Sequence, residues 1–96
     1  MQGTRVYSNP AGFLDHNAIR QPGAYGRATF DYVKKYGAHA VRHNWWNVTC
    51  PDGSGCVLNP DVHSVTVMEN GTITVYPSIV TSTWHGWLEC GVWRSV

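Results

Sequence analysis

Apolar and polar residues alternate most regularly in the last third of the chain. Val62 to Glu69 and Thr72 to Ile79 both switch character along their length, with Asn70-Gly71 between them. A period of two is that of a strand. Asn-Gly is the preferred central pair of a type I′ turn, where both positions need positive φ. The pattern predicts a hairpin in which Met68 faces Ile73 and Thr66 faces Val75 on one side. Val67 then faces Thr74, and Val65 faces Tyr76, on the other. A second hairpin is predicted from Trp84–Leu88 and Val92–Val96, turning at Cys90-Gly91. Its register sets Leu88 opposite Trp93 and Trp87 opposite Arg94. Trp84, Leu88 and Trp93 then share the face that closes a core, and His85, Trp87 and Arg94 share the other. Val41 to Cys50 reads as a fifth strand, whose adjacent Trp45 and Trp46 point to opposite faces.

The pattern changes upstream. Thr29 to Gly37 predicts a short helix: Thr29 as N-cap, Asp31 in the first turn, Lys34 and Lys35 near the end, Gly37 past it. Residues 1–27 are punctuated by four glycines and two prolines and predict an extended arm or a string of turns, lying across the domain or reaching to a neighbour. The expected fold is a β-rich α+β domain spanning residues 1–96: two antiparallel hairpins, one further strand, one helix at about 29–37, and the N-terminal arm before a compact core at 28–96.

Composition supports a globule. Hydrophobic residues reach 43% and charged residues only 14%. The net charge of +1 gives no drive toward nucleic acid, whose non-specific affinity comes from phosphate neutralisation. Charge is placed unevenly. Residues 1–42 carry Arg5, Arg20, Arg27, Lys34, Lys35 and Arg42 against Asp15 and Asp31; beyond them Arg94 stands against Asp52, Asp61, Glu69 and Glu89. Such asymmetry orients a partner or pairs one subunit with the next. No run of apolar residues is long enough for a membrane span, and the N-terminal residues lack a signal-like apolar stretch. Three cysteines without such a signal predict reduced thiols and a cytoplasmic location.

Two chemistries can be assembled from the residues. Cys50 and Cys56 flank a Gly-rich turn, and His85 with Cys90 would complete a tetrahedral zinc set, with His43 and His63 as substitutes. Against it, five residues separate the first two cysteines, where knuckles use two to four. The alternative is free thiols and sheet-surface histidines. A nucleophile with a base can be drawn from the same cysteines and histidines, yet no local motif singles out a pair. No enzyme is expected, and no cofactor beyond that zinc.

Aromatic residues weigh more. Trp45, Trp46, Trp84, Trp87 and Trp93 with five tyrosines exceed the needs of a small core, and Trp, Tyr and Arg dominate binding energy at interfaces. The expected contact residues are Trp46, Trp87 and Arg94, with Arg42 and Tyr25 behind them. The partner would be a host protein or a small anionic ligand, and self-association is expected.

Pro77-Ser78-Ile79, then His85-Gly86-Trp87-Leu88, then Gly91-Val92-Trp93 resembles the C-terminal signature of small uncharacterised phage and prophage proteins, with Cys50-Pro51 and Cys56 resembling their upstream cysteine turn. The similarity covers residues 48–94. The cysteine that family carries just before its histidine is absent from Thr81-Ser82-Thr83-Trp84. The resemblance implies a phage source more than a role; small phage proteins are commonly accessory factors that bind a host component, or small parts of the virion. The expected function is therefore a non-enzymatic accessory or anti-defence factor that blocks or sequesters a host component. The other classes kept open are a virion structural protein, a small-nucleotide sponge and a zinc-binding module.

Overall fold

The computed structural model describes residues 1–10, 14–27 and 45–96. The helix expected at 29–37, the strand start at 41–44 and Arg42 lie outside those residues. Among the described residues the fold is β-rich, with one short helix and several small sheets. The elements are β1 (Thr4–Arg5), α1 (His16–Ile19), β2 (Ala24–Arg27), β3 (Trp46–Thr49), β4 (Gly55–Leu58), β5 (Ser64–Val67), β6 (Ile73–Tyr76), β7 (Ile79–Val80), β8 (His85–Glu89) and β9 (Val92–Ser95). They form a β1-β2-β3-β4 sheet, a β5-β6 hairpin and a β7-β8-β9 sheet.

The N-terminal residues lie across the body. Gly3 N donates to Gly91 O at 2.7 Å, and Met1 O accepts from Trp93 N at 2.8 Å. Two residues on, Thr4 N donates to Gly23 O and Val6 N to Tyr25 O, so the same extended run becomes the parallel edge strand β1 beside β2. One stretch of backbone thus closes the edges of two sheets, which would otherwise present unpaired groups.

β2, β3 and β4 turn Tyr25, Trp46, Val48 and Leu58 to one face, as their register requires. Those side chains pack with Ile73, Val75, Ile79, Leu88 and Trp93 in one buried cluster. Burying a side chain of this size contributes about 1.5–3 kcal/mol, so these positions hold the three sheets together. Trp93 Nε1 reaches Gly23 O at 2.9 Å, which satisfies the one polar atom of that indole. On the opposite face of the same sheet, α1 packs over Gly26, where an added Cβ would meet Leu14 and Ile19.

The two predicted hairpins turn out differently. β8–β9 has the expected register, Leu88 opposite Trp93 and Trp87 opposite Arg94. Its turn residues Cys90 and Gly91 both have positive φ, 47° and 75°. β5–β6 is shifted by one residue from expectation: Val67 faces Ile73, Thr66 faces Thr74 and Val65 faces Val75. The turn is not type I′, since Asn70 is not at positive φ; Gly71 alone is, at 85°. Met68 N donates to Thr72 O and Gly71 N to Met68 O, a three-residue loop closed by a glycine bulge. The shift has a physical reason. A slip of one residue exchanges faces, and the observed register puts Val65, Val67, Ile73 and Val75 on one face and the threonines on the other.

Candidate functional site

The outer face of β7-β8-β9 carries the residues that remain available for contact. Val80 opposes His85, Trp87 opposes Arg94, and Val96 N bonds His85 O, so these side chains share one side of the sheet. Val80 is 61% exposed and Val96 73%. The Trp87 indole is half-buried, with the His85 ring 6.2 Å away and the Arg94 guanidinium 5.8 Å above it. Arg94 also pairs with Glu89. These contacts place the arginine over the indole, which keeps part of its surface exposed.

Gly86 makes this face possible from beneath. The Trp84 ring folds across it to meet Trp93 edge-on, with centroids 5.4 Å apart at 82°. A Cβ at Gly86 would run into the Arg94 carbonyl and the Trp84 ring. Trp84 thus closes the inner side, and Trp87, three residues later, stays on the outer side.

Ser78 enters the sequence pattern only within Pro77-Ser78-Ile79, with no chemistry assigned to it. Its Oγ lies 3.0 Å from His85 Nε2, and its carbonyl lies 3.1 Å from His63 Nε2. A serine and histidine at this distance have the spacing of a nucleophile and its base. Among the described residues no carboxylate orients the far nitrogen of His85, and the pair lies on an open sheet face. Its evident effect is to tie the start of β7 to β8. The partners stand seven positions apart in the chain, so no local spacing signals the contact.

Two of the expected contact residues are in the core. Trp46 is 2% exposed and Tyr25 1%. Trp46 points inward because its sheet face is the one that β6, β7 and β8–β9 cover; Trp45 takes the other face and is half-buried. The Arg5 guanidinium stacks 4.8 Å from the Trp46 ring and 4.5 Å from Tyr7, and donates to Gly71 O at 2.7 Å. Arg27 lies 5.4 Å from the same Trp46 ring. These cations cap the core tryptophan and link β1 to the β5–β6 turn. Burial raises the Tyr25 hydroxyl above its ordinary range.

The four candidate zinc ligands do not converge. No three His, Cys, Asp or Glu side chains gather among the described residues. Cys50 and Cys56 share a face of β3–β4, since Cys56 opposes Val48. Burial pushes the Cys50 thiol up to about 11, against a smaller opposing effect from its bond to Ser54, and burial raises Cys56 as well. Cys90 sits exposed on the β8–β9 turn against Thr74, and His85 is engaged with Ser78. All three cysteines are free.

The Gly-rich turn serves as a brace. Asp52 accepts from Ser54 N and Ser54 Oγ, and from Thr83 Oγ1 at 2.6 Å, while Ser54 Oγ meets Thr81 Oγ1 at 2.9 Å. The Ser54 and Thr83 hydroxyls hold the Asp52 carboxyl below the usual range. The turn after Cys50 is thereby fastened to the turn before β8. Among the described residues no helix is long and apolar enough to cross a membrane. Comparisons with protein-family models, with curated proteins and with solved structures return no match.

Proposed function

We propose that the chain is a non-catalytic binding protein that blocks or sequesters a partner protein through the outer face of β7-β8-β9, in the manner of a phage accessory or anti-defence factor. The observation that carries this reading is the Trp87 indole held beside Arg94 and His85 on a sheet face that also exposes Val80 and Val96. Tryptophan and arginine are the residue types that most often dominate interface energy, and an indole already oriented loses little entropy on docking. Met1–Gly3 occupies one edge of this sheet. Contact therefore runs through side chains on the face rather than through strand addition at that edge. A second copy of the chain is one partner that fits; a host protein is the other.

The test pairs Trp87→Ala with Val62→Ser, which alters an exposed valine outside this sheet. Each variant is checked for unchanged thermal unfolding and for mass by light scattering, then used in crosslinking from bacterial cells. Trp87→Ala should weaken the captured contact roughly tenfold or more, and Val62→Ser should leave it intact. A folded Trp87→Ala chain that keeps its oligomeric state and every crosslinked partner would sink the reading.

A further inference from the structure

A cleft of about 410 Å³ opens between α1 and the outer face of β3–β4, on the opposite side of that sheet from the core. Small-molecule sites begin at about 300 Å³, so this space is sufficient for one. Leu14, Ile19 and Val57 give it apolar walls, and His16 and Arg20 stand on one side of it, four residues apart on α1. No Asp or Glu lines it among the described residues. Asp15, the neighbouring acid, is the helix cap, its Oδ1 accepting from Ala18 N at 2.8 Å, and does not line the cleft.

The polar groups of the cleft divide into spent and unspent. The Thr49 hydroxyl is spent, donating to Ile19 O at 2.6 Å. Arg20 is unspent: its one polar contact is His16 Nε2, 3.5 Å away, and no carboxylate pairs with it among the described residues. A guanidinium has five donors and is charged at every physiological pH. An apolar cleft edged by a histidine and an arginine, with no carboxylate on the arginine or on the walls among the described residues, is complementary to one chemistry. We propose that this cleft binds a small amphipathic anion, a carboxylate, sulfonate or phosphate monoester on an aromatic or branched aliphatic body, with the acid group at Arg20 and His16 and the apolar body against Leu14, Ile19 and Val57. This site lies on a different sheet from the proposed protein-binding face and stands independently of it.

Gly55 supplies a clean test. It lines the cleft, its φ is not positive, and a Cβ built there meets nothing within 4 Å. Gly55→Leu therefore starts its side chain in open space at the cleft wall, and its isobutyl group takes up cleft volume. Methyl NMR spectra of the whole chain are recorded with phenyl phosphate, benzenesulfonate and 4-methylvalerate, each beside a neutral isostere, and with inorganic phosphate. At least one amphipathic anion should shift the Leu14, Ile19 and Val57 methyls saturably, at least tenfold more tightly than its neutral isostere or inorganic phosphate. Gly55→Leu should abolish that binding without lowering the unfolding temperature. Arg20→Gln, an exposed change, should reduce the anion's affinity to that of the neutral isostere. The proposal is overturned if no anion in the series shifts those methyls, if neutral isosteres bind equally, or if Gly55→Leu binds as the parent does.

Discussion

β5–β6 and β8–β9 are both four-paired antiparallel hairpins with a glycine in the turn, yet only β8–β9 has the register its turn dipeptide predicts. Asn70-Gly71 is the stronger turn signal and does not form the turn it favours. Cys90-Gly91 is the weaker one and forms it, with a cysteine at φ 47°. The difference lies in what each register does with the faces. In β8–β9 the two-residue turn already segregates Leu88 and Trp93 inward from Trp87 and Arg94. In β5–β6 the same turn would place Val75 opposite Thr66 and Val65 opposite Tyr76. A three-residue loop aligns the valines and Ile73 instead. Ile73 and Val75 share the inner face in either register; the observed one adds half-buried Val65 beside them, worth about 1 kcal/mol where full burial gives about 1.5–3 kcal/mol, while Val67 stays 45% exposed. Burial decides the register, and the turn accommodates it.

The largest test of this comparison is at Gly86 in β8. A Cβ added there would run into the Arg94 carbonyl and the Trp84 ring. A backbone oxygen cannot swing aside, so Gly86→Ala must separate β8 from β9 or expel Trp84 from its edge contact with Trp93. The expected loss is about 3 kcal/mol, seen as a fall in unfolding temperature on the order of 15 °C. Near-UV circular dichroism should lose the Trp84–Trp93 signal in the same variant. An Ala chain as stable as the parent would show that the register of β8–β9 is not held by this contact.

A smaller effect is expected at Gly71. Its φ of 85° strains any side chain, while the atom a Cβ would meet is the Tyr7 hydroxyl at 2.5 Å, the far end of an exposed side chain that can move. Gly71→Ala should therefore cost only the left-handed conformation, about 1–2 kcal/mol. Cross-strand contacts between Val67 and Ile73 should survive, because burial sets that register. Loss of those contacts would show that the glycine bulge, and not the valine face, holds the hairpin.

What the sequence disclosed follows the same division. Alternation and turn chemistry disclosed the strands of the last third, the β8–β9 register and the split of its faces. Trp45 and Trp46 could be assigned to opposite faces, but which one is inward depends on where β6–β9 pack, and no local pattern carries that. Trp46 and Tyr25 accordingly read as contact residues and are core. α1 has only four residues and no periodicity to detect, so the cleft beneath it was invisible. Ser78 and His85 meet through the path of the chain between β7 and β8, which no residue spacing encodes.

The smallest expected effect is the sharpest test of what sets the β5–β6 register. The loop Glu69-Asn70-Gly71 joins Met68 to Thr72, and Met68 N donates to Thr72 O at 2.8 Å. Deleting Glu69 would leave Met68-Asn-Gly-Thr72, a two-residue loop with the type I′ dipeptide at its centre and the observed strand pairing on either side. Glu69 is exposed and makes no ion pair among the described residues, so its removal costs little by itself. Turn preference and face segregation, which conflict in the parent chain, agree in the deletion variant. Its stability should stay within about 1 kcal/mol of the parent. Slowly exchanging amides and cross-strand NOEs should keep Val65 opposite Val75 and Val67 opposite Ile73. If the strands instead slip to restore a three-residue loop, loop length rather than burial of the valine face sets the register.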